Sequence, residues 1–148
     1  MERKLRRIKM ENTRKRLALF TKDEDLRKVL FDSLDAELII EHNYDVDLNN
    51  VDFSNIVTVL DYDAEGESCE ALLLALSMRA GLENKVIVVS KNCERRIVAD
   101  CAKKGAARFI VKPLTKKRFK RFLLPYLMES SETVSGEPRD ILVDEATN

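Results

Sequence analysis

Short apolar runs alternate with amphipathic stretches through the middle of the chain. Residues 17–21 (LALFT) are almost wholly apolar and predict a buried strand. Residues 23–34 follow, with Leu26, Val29, Leu30 and Leu34 on one helical face. Their acidic first turn, DED, suits the positive end of a helix. Residues 36–40 (AELII) predict a second strand. The stretch 43–55 is polar, with Val46, Leu48, Val51 and Phe53 scattered through it, and predicts a loop with a short or irregular helix. Residues 56–60 (IVTVL) predict a third strand ending at Asp61, and 68–80 a helix stopped by Gly81. Residues 85–89 (KVIVV) predict a fourth strand ending at Ser90. Asn92 is placed to cap the next helix, which Gly105 ends. Residues 107–111 (ARFIV) predict a fifth strand ending at Lys112. The last helix covers 115–128, striped by Phe119, Phe122, Leu123 and Leu127, with Pro125 interrupting its hydrogen bonding.

Five strand–helix units with near-continuous apolar strands imply an α/β fold with a parallel sheet covered on both faces. Such sheets carry their chemistry at the carboxyl ends of the strands. That rule selects Thr21, Lys22 and Asp23 after the first strand, Asp61 and Asp63 at the third, Ser90 at the fourth, and Lys112 and Pro113 at the fifth. Converging Asp, Ser and Lys side chains suit phosphoryl handling. The carboxylate serves as nucleophile, while the ammonium and hydroxyl stabilise the transferring oxygens.

Composition narrows the picture. The chain has 148 residues, 45% hydrophobic and 35% charged, which fits one domain with its own core. Only four Gly and three Pro exclude a collagen-like or wholly disordered chain. No apolar stretch approaches the roughly 20 residues of a membrane span, and the first residues lack a signal-peptide core, so a cytoplasmic protein is expected. Cys69, Cys93 and Cys101 are widely spaced and share the chain with one histidine, His42, so free thiols and no metal site are expected. His42 ends the second strand and reads as a loop histidine. There is no GxGxxG, P-loop or nucleophile elbow.

Lys plus Arg and Asp plus Glu each number 26, yet the charge is unevenly spread. Residues 1–15 form a basic N-terminal extension and 130–148 an acidic tail or linker, flanking one domain at 16–129. Within the tail, Ile141, Leu142 and Val143 make an apolar island that reads as a docking strand or the site where a longer chain was cut. The last helix carries Lys116, Lys117, Arg118, Lys120 and Arg121, a dense positive run.

The segment 105–113 (GAARFIVKP), with Gly-Ala ending a helix, Phe109 and the pair Lys112-Pro113, resembles the receiver domain of bacterial response regulators. The resemblance covers about residues 15–129. It implies a flavodoxin-like (βα)5 three-layer sandwich with strand order 2-1-3-4-5. It puts Asp61 at the phosphoacceptor position, Ser90 at the hydroxyl switch, Phe109 at the aromatic switch and Lys112 at the conserved lysine. It also implies a cis bond before Pro113. Thr21 and Lys22 stand where receivers carry the acid pair that holds Mg²⁺, and Asp23 is expected to begin the first helix and point elsewhere. On that basis Lys22 or Lys112 is expected to neutralise Asp61, with Asp63 a side chain at the rim or, alternatively, one that rescues a carboxylate site.

The resulting expectation is an atypical receiver that is no enzyme, binds no cofactor, and signals by protein contact without ordinary Mg²⁺-dependent phosphorylation. The alternative is a phospho-accepting receiver in a two-component phosphorelay, with Mg²⁺ as cofactor. The expected contact surface is the fifth strand with the helices beside it, presenting Lys116, Lys117, Lys120 and Arg121 to an acidic protein partner or a second copy. No membrane contact is expected, and nucleic acid is a minor alternative.

Overall fold

The protein is described by a computed structural model at residues 15–53, 55–63, 67–80, 85–128 and 142–144. Strands β1 (Arg16–Phe20), β2 (Ile39–Glu41), β3 (Ile56–Asp61), β4 (Lys85–Ser90) and β5 (Arg108–Val111) pair in parallel in the order 2-1-3-4-5. This is the flavodoxin-like arrangement. Alternate residues of each strand point to opposite faces, and both faces are buried.

One face carries Leu17, Leu19, Val57, Val59, Ile87 and Ile110. It packs on Leu26 and Leu30 of α1 (Glu24–Ser33) and on Phe119, Leu123 and Leu127 of the last helix, α4. The other face carries Ala18, Phe20, Leu60, Val86, Val88 and Phe109. It packs on Leu72, Leu73 and Leu76 of α2 (Glu67–Ala80) and on Cys101 of α3 (Arg95–Lys103). The chain N-terminal to residue 15 and the stop assigned to Gly81 lie outside the described residues.

Several boundaries differ from the sequence expectation. Residues 36–38 form a 3-10 turn, closed by the Leu38 N–H donating to the Asp35 carbonyl. β1 offers β2 only the three partners Leu17, Ala18 and Leu19, so the edge strand is short. The loop after β2 holds only a 3-10 turn, Leu48–Asn50, whose cap Asp47 accepts from the Asn49 N–H. Leu48 and Phe53 anchor that loop in the core. Asn92 does not cap α3. It accepts from the Glu94 N–H in a turn ahead of the helix, which starts at Arg95.

α4 runs as an α turn at Lys116–Arg118, a π-helical stretch at Phe119–Leu123 and an α segment at Leu124–Met128. Pro125 explains the middle stretch. Proline has no N–H to give and its ring crowds the carbonyl four residues back. A wider turn, with the Leu124 N–H reaching the Phe119 carbonyl, lets the helix continue.

One element extends the sheet beyond the expected five strands. Leu142–Asp144 forms β6, parallel to the outer edge of β5, pairing Arg108 with Leu142, Phe109 with Val143 and Ile110 with Asp144. The apolar island thus forms a strand on the sheet.

Candidate functional site

The carboxyl ends of β1, β3, β4 and β5 converge on Asp61. It ends β3 and is 1% exposed. The Thr21 hydroxyl, just after β1, donates to Asp61 Oδ2 at 2.5 Å. The Asp63 backbone N–H donates to Asp61 Oδ1 at 3.0 Å. Lys112, just after β5, brings its ammonium to 3.0 Å from Asp61. A buried carboxylate needs such partners, because an unpaired charge away from water is costly. The Tyr44 hydroxyl lies 2.9 Å from the Phe20 carbonyl and 2.7 Å from the Asp61 carbonyl, tying the ends of β1 and β3 together.

Lys112 Nζ is shared. It also lies 2.9 Å from Asp23 Oδ2 and 3.1 Å from Asp63 Oδ2. Asp23 is the N-cap of α1: its Oδ1 accepts from the Asp25 and Leu26 N–H groups, which leaves Oδ2 to face Lys112. Its own N–H donates to Thr21 Oγ1 at 2.9 Å, fixing the hydroxyl that holds Asp61. Asp63 accepts from the Ser90 hydroxyl at 2.6 Å and from the Lys91 N–H at 2.9 Å. Ser90 Oγ in turn accepts from the Asn92 N–H. The Lys112–Pro113 peptide bond is cis.

The electrostatics follow from this arrangement. Burial works to raise the Asp23 carboxyl, but the Lys112 ammonium and the N–H groups at the start of α1 outweigh it, so its pKa is lowered. At Asp63 burial is likewise outweighed, by Ser90, the Lys91 N–H and Lys112. Burial disfavours the Lys112 ammonium, yet Asp23, Asp61 and Asp63 together push its pKa up. Three carboxylates therefore share one ammonium.

Two clefts open at the cluster, and Asp61 lines neither. One, of about 390 Å³, is lined by Asp23, Leu26, Val29, Lys91, Lys112 and Leu114. The other, of about 410 Å³, is lined by Tyr62, Asp63, Glu70, Ser90, Arg96 and Asp100. Phe109 is fully buried in the core beside β4, level with Val88. Lys22 places its ammonium 5.9 Å from the Tyr44 ring centre. His42 stacks on Phe20 at 5.2 Å, away from this cluster, and burial lowers its pKa.

No family model matches the chain, and no curated protein matches it. Solved structures do. The response regulator DrrB of Thermotoga maritima, an OmpR/PhoB homolog, aligns at 21% identity and TM-score 0.56, over 74% of this chain and 52% of DrrB. NtrX of Brucella abortus, solved with ADP, aligns at 20% identity and TM-score 0.58, over 80% of this chain and 26% of NtrX. The response regulator ChrA, of a haem-sensing two-component system, aligns at 18% identity and TM-score 0.53, over 86% of this chain and 69% of ChrA. The chain shares its fold with these structures. The chain spans about half of DrrB and about a quarter of NtrX.

The acidic site is not depleted, and that corrects the functional expectation. A domain acting by contact without phosphoryl chemistry rested on a missing acid pair. Asp23 does not point elsewhere, since its cap position aims Oδ2 at Lys112 beside Asp61. Asp63 is exposed, as a rim residue would be, yet its carboxylate also joins Lys112 to Ser90. The expectation that the chain is no enzyme falls with it, because a buried carboxylate, an ammonium, a hydroxyl and flanking acids are assembled in one place. The sequence signal for Asp23 was its double fit, as helix cap and as the first acid after β1. Tyr44, which bridges β1 and β3, gave no signal, because its loop has no periodicity.

A hard divalent cation such as Mg²⁺ takes carboxylate oxygens, which the site offers in donor type though not in open geometry. Asp23 and Asp61 are the residues that would hold it. Among the described residues no three acids form a ready cage, and the ammonium of Lys112 occupies the point where the carboxylates converge.

Proposed function

We propose that the chain is a phospho-accepting receiver module of a two-component phosphorelay, with Asp61 as phosphoacceptor. The observation that carries this reading is the meeting of Asp23, Asp61 and Asp63 on the Lys112 ammonium at the carboxyl edge of the sheet.

In the reaction an Asp61 carboxylate oxygen attacks phosphorus in a phosphorylated donor. The bond from phosphorus to the donor's leaving atom breaks, and its electron pair leaves with the donor. The product is an acyl phosphate on Asp61, with roughly −1.5 to −2 charge. Lys112 is placed to bond a phosphoryl oxygen as this charge develops. Ser90, now bonded to Asp63, supplies a hydroxyl that can turn to another oxygen. Thr21 holds Asp61 Oδ2 and must release it for that oxygen to react. A bound divalent cation would neutralise crowded oxygens of donor and acceptor. Phe109 is assigned the aromatic switch role, and the output is protein contact through β5 and the basic face of α4. Residues 16–129 form the module, flanked by the basic extension and the acidic tail. No helix among the described residues is long and apolar enough to cross a membrane.

The test is incubation with acetyl phosphate and Mg²⁺, followed by intact mass and peptide mapping. One phosphoryl group on Asp61, absent from the Asp61→Asn protein, is the expected result. No adduct, or an equal adduct in Asp61→Asn, overturns the assignment.

A further inference from the structure

β6 covers an edge that the five-stranded sheet would leave open. An uncovered edge strand presents unpaired N–H and C=O groups to any extended segment. Here the segment is Leu142–Asp144, joined to α4 by residues 129–141. A three-residue parallel ladder gives few hydrogen bonds, and closing a thirteen-residue connection opposes it. Backbone pairing alone therefore leaves β6 weakly held.

Charge is the second feature of this edge. The tail carries Glu129, Glu132, Glu137, Asp140, Asp144 and Glu145 against Arg139. The last helix is positive: Lys116, Lys117, Lys120 and Arg121 of α4 are all exposed. The two features meet at Arg108. It pairs in register with Leu142, and its guanidinium lies 4.6 Å from the Phe122 ring centre on α4. Arg121 lies on the same ring at 5.1 Å. The buried Nε of Arg108 has no hydrogen-bond partner among the described residues.

We propose that the outer edge of β5 and the basic face of α4 form a docking site for an extended acidic peptide, and that the chain's own acidic tail occupies it in cis. The main-chain ladder sets the direction, parallel to β5. The lysines and arginines select acidic residues around the strand. The tail then acts as a tethered competitor, which a protein partner with an acidic extended segment must displace. This assignment stands on the sheet edge and its charge, independently of chemistry at Asp61.

Hydrogen exchange on the full chain tests it. In the wild-type protein the Arg108 and Ile110 amides, which face β6 because the Ala107 N–H and hence the Phe109 N–H face β4, should be protected. Val143→Pro removes a ladder donor and should speed their exchange at least about tenfold, while Val57–Leu60 stay protected. Free peptide of residues 136–148, added to the Val143→Pro protein, should restore protection at low salt and lose that effect at high salt. Reversing Lys117, Lys120 and Arg121 to Glu should abolish the restoration. If Val143→Pro lowers protection at Val57–Leu60 as well, the Asp140→Lys, Asp144→Lys protein takes its place, with the same expected loss at Arg108 and Ile110. Equal exchange at Arg108 and Ile110 in wild type and variants overturns the proposal. So does a peptide that fails to restore protection, or one that restores it equally at high salt or on the charge-reversed helix.

Discussion

At the scale of the residue, Lys112 is the position on which the site turns. One ammonium faces three carboxylates, and its side chain is 8% exposed. Replacing it by Met leaves those acids without a cation. Breaking a buried ion pair from one side costs about 3 kcal/mol, and chemical denaturation of Lys112→Met should show a loss of that order. The pH dependence should change sign with it. In the wild type, Asp23 and Asp63 have lowered pKa values, so their contribution is present at neutral pH and is lost as pH falls below about 4. In Lys112→Met the crowded acids repel, and protonation relieves them. Its stability should rise on acidification over the range where the wild type weakens. Thr21 is the second such position. Thr21→Val deletes the donor to Asp61 and the acceptor for the Asp23 N–H. It should cost about 1–2 kcal/mol in the same measurement.

At the scale of the element, two junctions depend on backbone geometry rather than on buried area. Gly105 ends the turn after α3 with φ of +106°, a region that L side chains rarely adopt. A Cβ there would also meet the Ser77 hydroxyl of α2 well inside contact distance. Gly105→Ala should therefore destabilise by about 1–3 kcal/mol in thermal or denaturant unfolding. A neutral outcome would mean that α2 and the α3–β5 turn can separate cheaply. The second junction is the π-helical stretch of α4. It lets Phe119, Leu123 and Leu127 all reach the sheet despite Pro125, so one helix both closes the core and presents the basic face.

At the scale of the whole molecule, the sheet separates core from chemistry. Thiol reactivity reads that separation directly. Cys93 is exposed in the loop before α3, whereas Cys69 and Cys101 are buried under the sheet. Burial pushes the Cys101 thiol up to about 11, despite its contact with Tyr62 and the nearby Lys104 charge. A thiol reagent at neutral pH should label one cysteine quickly in the native protein. The other two should react only at the rate of unfolding. Fast reaction of all three would show that α2 and α3 open from the sheet under native conditions.

The sequence by itself determined the layered fold. Strands such as 56–60 and 85–89 are buried on both faces, so their apolar runs survive any choice of neighbours. It also marked Asp61, Ser90 and Lys112, because the carboxyl ends of parallel strands are fixed once the strands are found. It misjudged Asp23. A helix cap and a site carboxylate look like alternatives along the chain, but the two oxygens of one side chain can serve both, and only the approach of Lys112 from β5 shows it. Neither did the sequence settle where the Leu142–Asp144 strand would lie. Three residues carry too little periodicity to name a partner, and pairing with β5 depends on an edge that exists only once the whole sheet has formed. Local patterns fix which residues are buried. Contacts between residues far apart in sequence, 89 positions in the case of Asp23 and Lys112, fix which charges meet.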